Sequence, residues 1–234
     1  GGLIVLKEFI KLSKHLPRKG ATIAIQGFGN VGSNLAKIAG IYVEFNFSVV
    51  AVSDKNGGIY NEKGLDLASV NNWYQERKTF RGYKEATEIS NEKLLSLPVD
   101  VLVPAALENQ ITEHSADKVK AKMVLELANE AITQEGHSIL KNLGICAIPG
   151  IAANSGGVVV SFLEWARNRG SRWHMVDIPD IEHLAEQELT KIMREVIQSV
   201  YQRSVENKIT LNESAHLIAI ERISEKLKQK HGYK

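Results

Sequence analysis

This 234-residue sequence contains a single cysteine, Cys146. A disulfide within the chain is therefore impossible, and a reducing, cytoplasmic setting is expected. Cys146 lies in the apolar run Ile145-Cys146-Ala147-Ile148 and is expected to act as a small buried hydrophobe. No apolar run is long enough to span a bilayer, and the N-terminus lacks a signal-peptide layout. Charge of one sign is missing too. The 29 basic and 27 acidic residues leave a formal net charge of +2, so no strong field points to nucleic acid or membrane. Several catalytic signatures are absent: no Gly-x-Ser-x-Gly elbow, no H-E-x-x-H or Cys/His cluster, and no phosphate-loop G-x-x-x-x-G-K-[ST]. The seven histidines are scattered, and no metal site is expected.

What is present fits one large domain, or one domain with a helical extension. The chain opens inside a helix, Leu3 to His15, with nothing ahead to cap it, which suggests a piece of a longer protein. Val5, Phe9, Ile10 and Leu12 give that helix its apolar stripe, and Pro17 and Gly20 end it. Strands are expected at 21–26, 48–53, 99–103, 123–127 and 145–148, the second an apolar run of the kind buried on both faces. Asp54-Lys55-Asn56-Gly57-Gly58 is expected to be a turn, and Leu65 to Glu76 a helix. Strands alternating with helices argue for a doubly wound parallel sheet.

Beyond Asn154 the strands stop. Helices are expected over Val158 to Arg167, from Pro179 through Val200, and from the capping box Thr210-Leu211-Asn212-Glu213 onward through Leu217, Ile220, Ile223 and Leu227. Lys226, Lys228, Lys230 and Lys234 complement a helix C-terminus. Trp73, Trp165 and Trp173 are expected to be packing anchors. Asn61-Glu62-Lys63 and Asn91-Glu92-Lys93 are expected to be polar surface. The expected division is 1–178 for the sheet domain and 179–234 for the helical extension.

Between the first strand and the next helix stands Gly27-Phe28-Gly29-Asn30-Val31-Gly32, a G-x-G-x-x-G. In such a turn the first glycine permits the tight exit, the second lets the backbone approach a pyrophosphate, and the third lets helix and strand pack closely. The helix N-terminus adds free N–H groups and a positive dipole end. Val31, Leu35, Ala36 and Ile38 are expected to form one face of that helix. Asp54 closes the second strand 22 residues after Gly32, where a carboxylate can bond the adenine ribose 2′-hydroxyl. That favours NAD over NADP, while Lys55 beside it argues the other way. Val103-Pro104-Ala105-Ala106, Glu126-Leu127-Ala128-Asn129 and the stretch from Pro149 to Gly157 place small or amide residues at three further strand ends.

Together these landmarks resemble the coenzyme-binding domain of the Glu/Leu/Phe/Val dehydrogenase superfamily, and of its glutamate dehydrogenases in particular. The resemblance runs through Ala51-Val52-Ser53-Asp54, Gly58-Ile59-Tyr60-Asn61 and Asn154-Ser155-Gly156-Gly157-Val158-Val159-Val160-Ser161-Phe162-Leu163-Glu164-Trp165 and covers essentially the whole chain. It implies an α/β fold, a Rossmann-like doubly wound parallel sheet with helices on both faces and a C-terminal helical extension. It implies that Gly27, Phe28, Gly29, Asn30, Val31 and Gly32 hold the pyrophosphate of NAD or NADP, and that Asp54, with Lys55, faces the adenosine ribose. Ala105 and Ala106 would line the groove, and Asn129 and Asn154 would bind the nicotinamide end. Val158 and Ser161 would reach the substrate side chain; a serine at the latter position tilts the reading to glutamate, as does the long segment from Asn71 to Ser90. The implied reaction is interconversion of glutamate with 2-oxoglutarate and ammonia, in a homo-oligomer, a hexamer by resemblance. Leucine, valine or phenylalanine dehydrogenases remain alternatives, as does a non-catalytic dinucleotide-binding module. Two departures stand out: Asn129-Glu130-Ala131 where the family often has Asn-Gly-Pro, and Pro149-Gly150 where it often has Pro-Asp. The catalytic lysine and aspartate of the family belong to an N-terminal domain and have no counterpart in this chain.

Overall fold

The computed structural model describes residues 1–13, 16, 19–41, 45–169 and 178–231. Its centre is a seven-stranded sheet: β1 (Thr22–Gln26), β2 (Ser48–Asp54), β3 (Gly57–Tyr60), β4 (Thr87–Ile89), β5 (Val101–Pro104), β6 (Met123–Leu125) and β7 (Cys146–Ile148). The order is β4-β3-β2-β1-β5-β6-β7. The five strands foreseen from the sequence form the parallel part, β2-β1-β5-β6-β7. β1 is flanked by β2 on one side and β5 on the other, so the strand order reverses beside it. Ligands bind at such a switch point, outside the carboxyl ends of the strands.

The other two strands differ from the expectation. β3 pairs antiparallel with β2, and β4 antiparallel with β3. Asp54 to Gly58 is therefore not only a turn but the tip of a hairpin whose second arm begins on Gly57 and Gly58. A Gly-Gly start carries no strand signal, and β4 is only three residues long; pairing, not local preference, makes both of them strands.

The helices are α1 (Gly2–Ser13), α2 (Asn30–Ile41), α3 (Leu67–Arg77), α4 (Asn91–Leu95), α5 (Gln134–Asn142), α6 (Gly150–Ala153), α7 (Gly156–Asn168), α8 (Ile178–Asn207) and α9 (Leu211–His231). Between β5 and β6 the described chain has only a 3-10 turn, Ala116–Lys118, in place of a crossover helix. In α2 the buried face is Gly32, Leu35, Ala36 and Ala39, the i, i+3, i+4, i+7 stripe. Val31 and Ile38 lie outside it and are exposed, which corrects the expected face. Trp73 does anchor α3, its ring partly buried and its Nε1 donating to the Thr79 carbonyl. Trp165 does not: it is exposed on α7, stacked on Phe162 and capped by Arg169. Trp173, His15, Pro17 and Lys234 lie outside the described residues. Asn91 is not mere surface either. Its amide accepts from Ser53 Oγ and donates to the Asp54 carbonyl, pinning the end of β2. Cys146 is partly buried, and burial pushes its thiol up to about 12.

α8 rests on α1 through Met193, Ile197 and Val200, which share one core with Val5, Phe9 and Ile10. Tyr201 meets Phe9 edge to face, and Gln198 donates to Glu8. α9 begins with the expected capping box: Glu213 N donates to Thr210 Oγ1 and Thr210 N to Glu213 Oε2. Its Ser214 is buried and donates to the Val200 carbonyl, but Leu217, Ile220, Ile223 and Leu227 face solvent. Among the described residues no helix is long and apolar enough to cross a membrane. The expected boundary after residue 178 falls on the first residue of α8, next to undescribed residues.

At the amino edge of the sheet, buried Asp100 ties three strands together. Its Oδ2 accepts from Thr22 N at 2.8 Å and Thr22 Oγ1 at 3.0 Å, and its Oδ1 meets Lys122 Nζ at 2.7 Å. Burial alone would raise this carboxyl, but Lys122 and the Thr22 bonds outweigh it and hold it below the ordinary value. Asp100→Ala is expected to cost about 2 kcal/mol by leaving those donors unpaired, a fall in Tm of about 4–8 °C. Because the folded pKa is lowered, that contribution is full above the ordinary carboxyl value of about 3.9 and is lost as pH falls through the folded value. In thermal melts of the pair the gap should hold constant from pH 7 to about pH 5 and narrow as the pH is lowered further.

Candidate functional site

β1 leaves the sheet through Gly27 at φ +95°, in the region that favours glycine. Gly27 N donates to the Ser53 carbonyl at the end of β2, at 2.9 Å. A Cβ on Gly27 would stand 2.8 Å from Ala106 Cα, so the loop after β5 closes over the turn. Gly29 is different: nothing lies within 4 Å of where its Cβ would be. At Gly32 a Cβ would run into the Gly27 carbonyl oxygen and lie 3.2 Å from Ile25 Cγ2. The three glycines thus do three jobs: a bend under a loop, an open face, and a helix-to-strand contact. Phe28 turns its ring inward, edge-on to Tyr74 and Phe80, leaving only its backbone for the groove. Asn30 and Val31 are exposed in the first turn of α2, where the backbone N–H groups have no partner within the helix.

Asp54 is buried at the end of β2. Its Oδ1 accepts from Asn56 N at 2.6 Å, while its Oδ2 is buried without a hydrogen-bond partner. Such an orphan acceptor is costly unless a ligand donor meets it. Lys55 is exposed. Asp54 lines a cavity of about 130 Å³ together with Thr79 and Arg81. Arg81 was not singled out from sequence; it lies 27 positions from Asp54 and meets it only through the fold.

At the other end, Asn154 caps α6 and donates through Nδ2 to Asn129 Oδ1 at 2.7 Å. Both asparagines and Val158 line a cavity of about 900 Å³, which reaches His137 on α5 and His216 on α9. Ser161, one turn further along α7, is exposed and does not line it. Ala105 N donates to the Gln26 carbonyl at 2.8 Å, and Gln26 Nε2 donates to Gln110 Oε1 at 2.7 Å. Gln26 therefore holds both ends of the loop that carries Ala105 and Ala106. Glu130, where the family pattern often has glycine, stands at φ +48°, a left-handed conformation that L side chains disfavour. Among the described residues no group of three or more His, Cys, Asp or Glu side chains could hold a metal.

The largest buried acid here is Glu126, at the mouth of β6. Its Oε1 accepts from Ile132 N at 2.9 Å and its Oε2 from Gly150 N at 2.8 Å. His137 Nε2 lies 3.9 Å from Oε2. Burial pushes Glu126 up, offset in part by the amides of Gly150, Ile132 and Ala131 and by His216. Burial, then the charge of His216, pushes His137 down.

The model of one protein family, Glutamate/Leucine/Phenylalanine/Valine dehydrogenase, matches residues 1–232. An NADP-specific glutamate dehydrogenase of Synechocystis is 39% identical over 219 residues, covering 89% of this chain and 49% of that protein. A cryptic catabolic NAD-specific glutamate dehydrogenase of Bacillus subtilis is 36% identical over 228 residues, covering 96% of this chain and 50% of that protein. Among solved structures, a hetero-hexameric glutamate dehydrogenase from Thermus thermophilus superposes with a TM-score of 0.86 at 27% identity, over 100% of this chain and 53% of that one. The chain spans about half the length of the curated relatives it matches.

The contrast between Gly32 and Gly29 can be measured. Gly32→Ala is expected to destabilise by about 3 kcal/mol or to prevent folding, because the collision is with backbone. Gly29→Ala should stay within about 1 kcal/mol of the parent, and Glu130→Gly should gain up to about 1 kcal/mol by relieving the left-handed φ. Urea titrations of the three variants test the order.

Proposed function

Because the chain belongs to the glutamate/leucine/phenylalanine/valine dehydrogenase family, we propose that it forms the dinucleotide-binding half of a glutamate dehydrogenase. The whole protein would interconvert L-glutamate with 2-oxoglutarate and ammonia. The observation that carries the cofactor reading is the buried, unpartnered Oδ2 of Asp54: an acceptor at the end of β2 suits a ribose hydroxyl. The open face at Gly29 and the free N–H groups at the start of α2 suit a pyrophosphate. When bound, NAD or NADP supplies the hydride acceptor, and the protein's part is to orient it.

In this reading the residues of the chain divide the work along one sheet edge. Gly27 to Gly32 hold the pyrophosphate through backbone, Asp54 and Lys55 face the adenosine ribose, and Ala105 and Ala106 form a flat wall. The Asn129–Asn154 pair leaves one amide NH₂ and one carbonyl free, a donor and an acceptor that complement a carboxamide. Val158 would meet the substrate at the cavity and Ser161, outside that cavity on the same helix, in the cleft closed by the other half; the Ser161 hydroxyl suits the γ-carboxylate of glutamate, and the relatives named above are glutamate dehydrogenases. The catalytic lysine and aspartate are placed on the other half of the protein. That half would cover Val158, Phe162 and Trp165 on α7 and the exposed apolar face of α9, areas too apolar to be left open in the complete protein. Residues 1–178 and 179–234 would then be the nucleotide domain and the helical strap that meets the other half. The hexamer named for the Thermus structure supports an oligomer, and a lone cysteine suits the cytoplasm.

NAD and NADP both have support. Relatives of each specificity are known, and the cavity at Asp54 also holds Arg81, which could meet a 2′-phosphate. Calorimetric titration of the chain with each cofactor should detect binding of at least one. Gly29→Val should abolish it without lowering Tm, and no binding to the parent at millimolar cofactor would overturn the reading. Arg81→Ala should weaken NADP about tenfold, the weight of one charge-assisted hydrogen bond, and leave NAD unchanged. The chain alone should not oxidise glutamate; measurable turnover would place the catalytic groups within it.

A further inference from the structure

We propose that Glu126 is a positioning residue: its single buried carboxylate fixes, relative to each other, the two loops whose asparagines face the nicotinamide end of the cofactor. The proposal rests on the dinucleotide reading above and deepens it.

Each oxygen of Glu126 serves a different loop. Oε1 takes the amide of Ile132, closing the stretch 127–131 that carries Asn129. Oε2 takes the amide of Gly150, the first residue of α6, whose C-cap is Asn154. A Cβ on Gly150 would lie 3.5 Å from both Glu126 Oε2 and Asn154 Nδ2, so the carboxylate, the helix start and the asparagine amide pack against one another. The 2.7 Å bond between Asn154 and Asn129 spans the same two loops. Glu126 thus sets from beneath the register that the asparagine pair shows on the groove side.

The chemistry demands a carboxylate. Both partners are N–H donors, so both oxygens must accept. Glutamine would turn an NH₂ toward one of them, donor against donor, in a site 4% exposed. The loop so closed also contains Glu130 at φ +48°, and a strained residue persists only where its surroundings over-determine it. Facing groups are few: His137 on α5 at 3.9 Å, its pKa lowered by burial, and His216 on α9, exposed. No hydrogen bond joins either histidine to Glu126, so the carboxylate's partners are backbone amides: Ile132 and Gly150 at hydrogen-bond distance, with Ala131 adding to the same side.

The test compares NADH with ADP-ribose, which shares the adenine, both riboses and the pyrophosphate but lacks the nicotinamide. In the parent chain NADH should bind more tightly than ADP-ribose. Glu126→Gln should weaken NADH about tenfold while ADP-ribose stays within about twofold, and Glu126→Asp, which keeps the charge, should recover part of the loss. Equal weakening of both ligands would mark a general structural role and overturn the proposal, as would unchanged NADH affinity. If the variants do not fold, amide exchange in the parent decides. NADH should slow Ile132 and Gly150 more than ADP-ribose does, and equal protection overturns the proposal. Failure of the parent to bind either ligand would instead remove the dinucleotide reading, and this proposal with it.

Discussion

The end of β1 is held from both sides by backbone hydrogen bonds. Gly27 N reaches the Ser53 carbonyl of β2, and the Gln26 carbonyl receives Ala105 N from just past the end of β5. The rest of the site hangs on this clamp. It fixes where the chain bends at Gly27, how closely the loop of Ala105 and Ala106 lies over the bend, and therefore where the first turn of α2 points. Side chains could not hold so short a span. The contact of Gly27 with Ala106 leaves no room for a Cβ, and the bond partners are peptide groups that would otherwise be buried unpaired.

Three carboxylates mark three places along the sheet, and their partners distinguish their roles. Asp100 at the amino edge is fully engaged, by Thr22 and Lys122, and joins strands. Glu126 at the carboxyl edge is engaged on both oxygens by backbone amides and joins loops. Asp54, at the same edge, has one engaged oxygen and one without a partner. Structural acids in a dry interior are satisfied because an unpaired one costs too much. An unsatisfied one calls for an explanation, and the proposed ribose hydroxyl supplies one for Asp54.

The parallel strands were legible because each is a short, mostly apolar segment between turn residues, and Thr210 with Glu213 announced the start of α9 because a capping box is local chemistry. The glycine turn was legible for the same reason: bend, open face and close packing all lie within six residues. β3 and β4 were not, since Gly57-Gly58 and a three-residue segment become strands only by pairing. The outward turn of Val31 and Ile38 depends on which way α2 meets the sheet, and the exposure of Trp165 on what lies beyond the chain's own core. Glu126 could be seen as the acid closing a strand, but its bond to Gly150 joins positions 24 apart in sequence. Such a contact has no signature in a linear pattern.

The packing of α1 against α8 sets an order of events during synthesis. Glu8 meets Gln198 across a separation of 190 residues, and Phe9 waits as long for Tyr201. A chain emerging from the ribosome can assemble β1 with β2 and the glycine turn early. The apolar face of α1, with Leu3, Leu6 and Ile10, has no complete cover until α8 has been made. At synthesis rates of about 5–20 residues per second that face stays without its α8 cover for on the order of ten seconds or more, long enough for the sheet and the glycine turn to form before the helix is closed in.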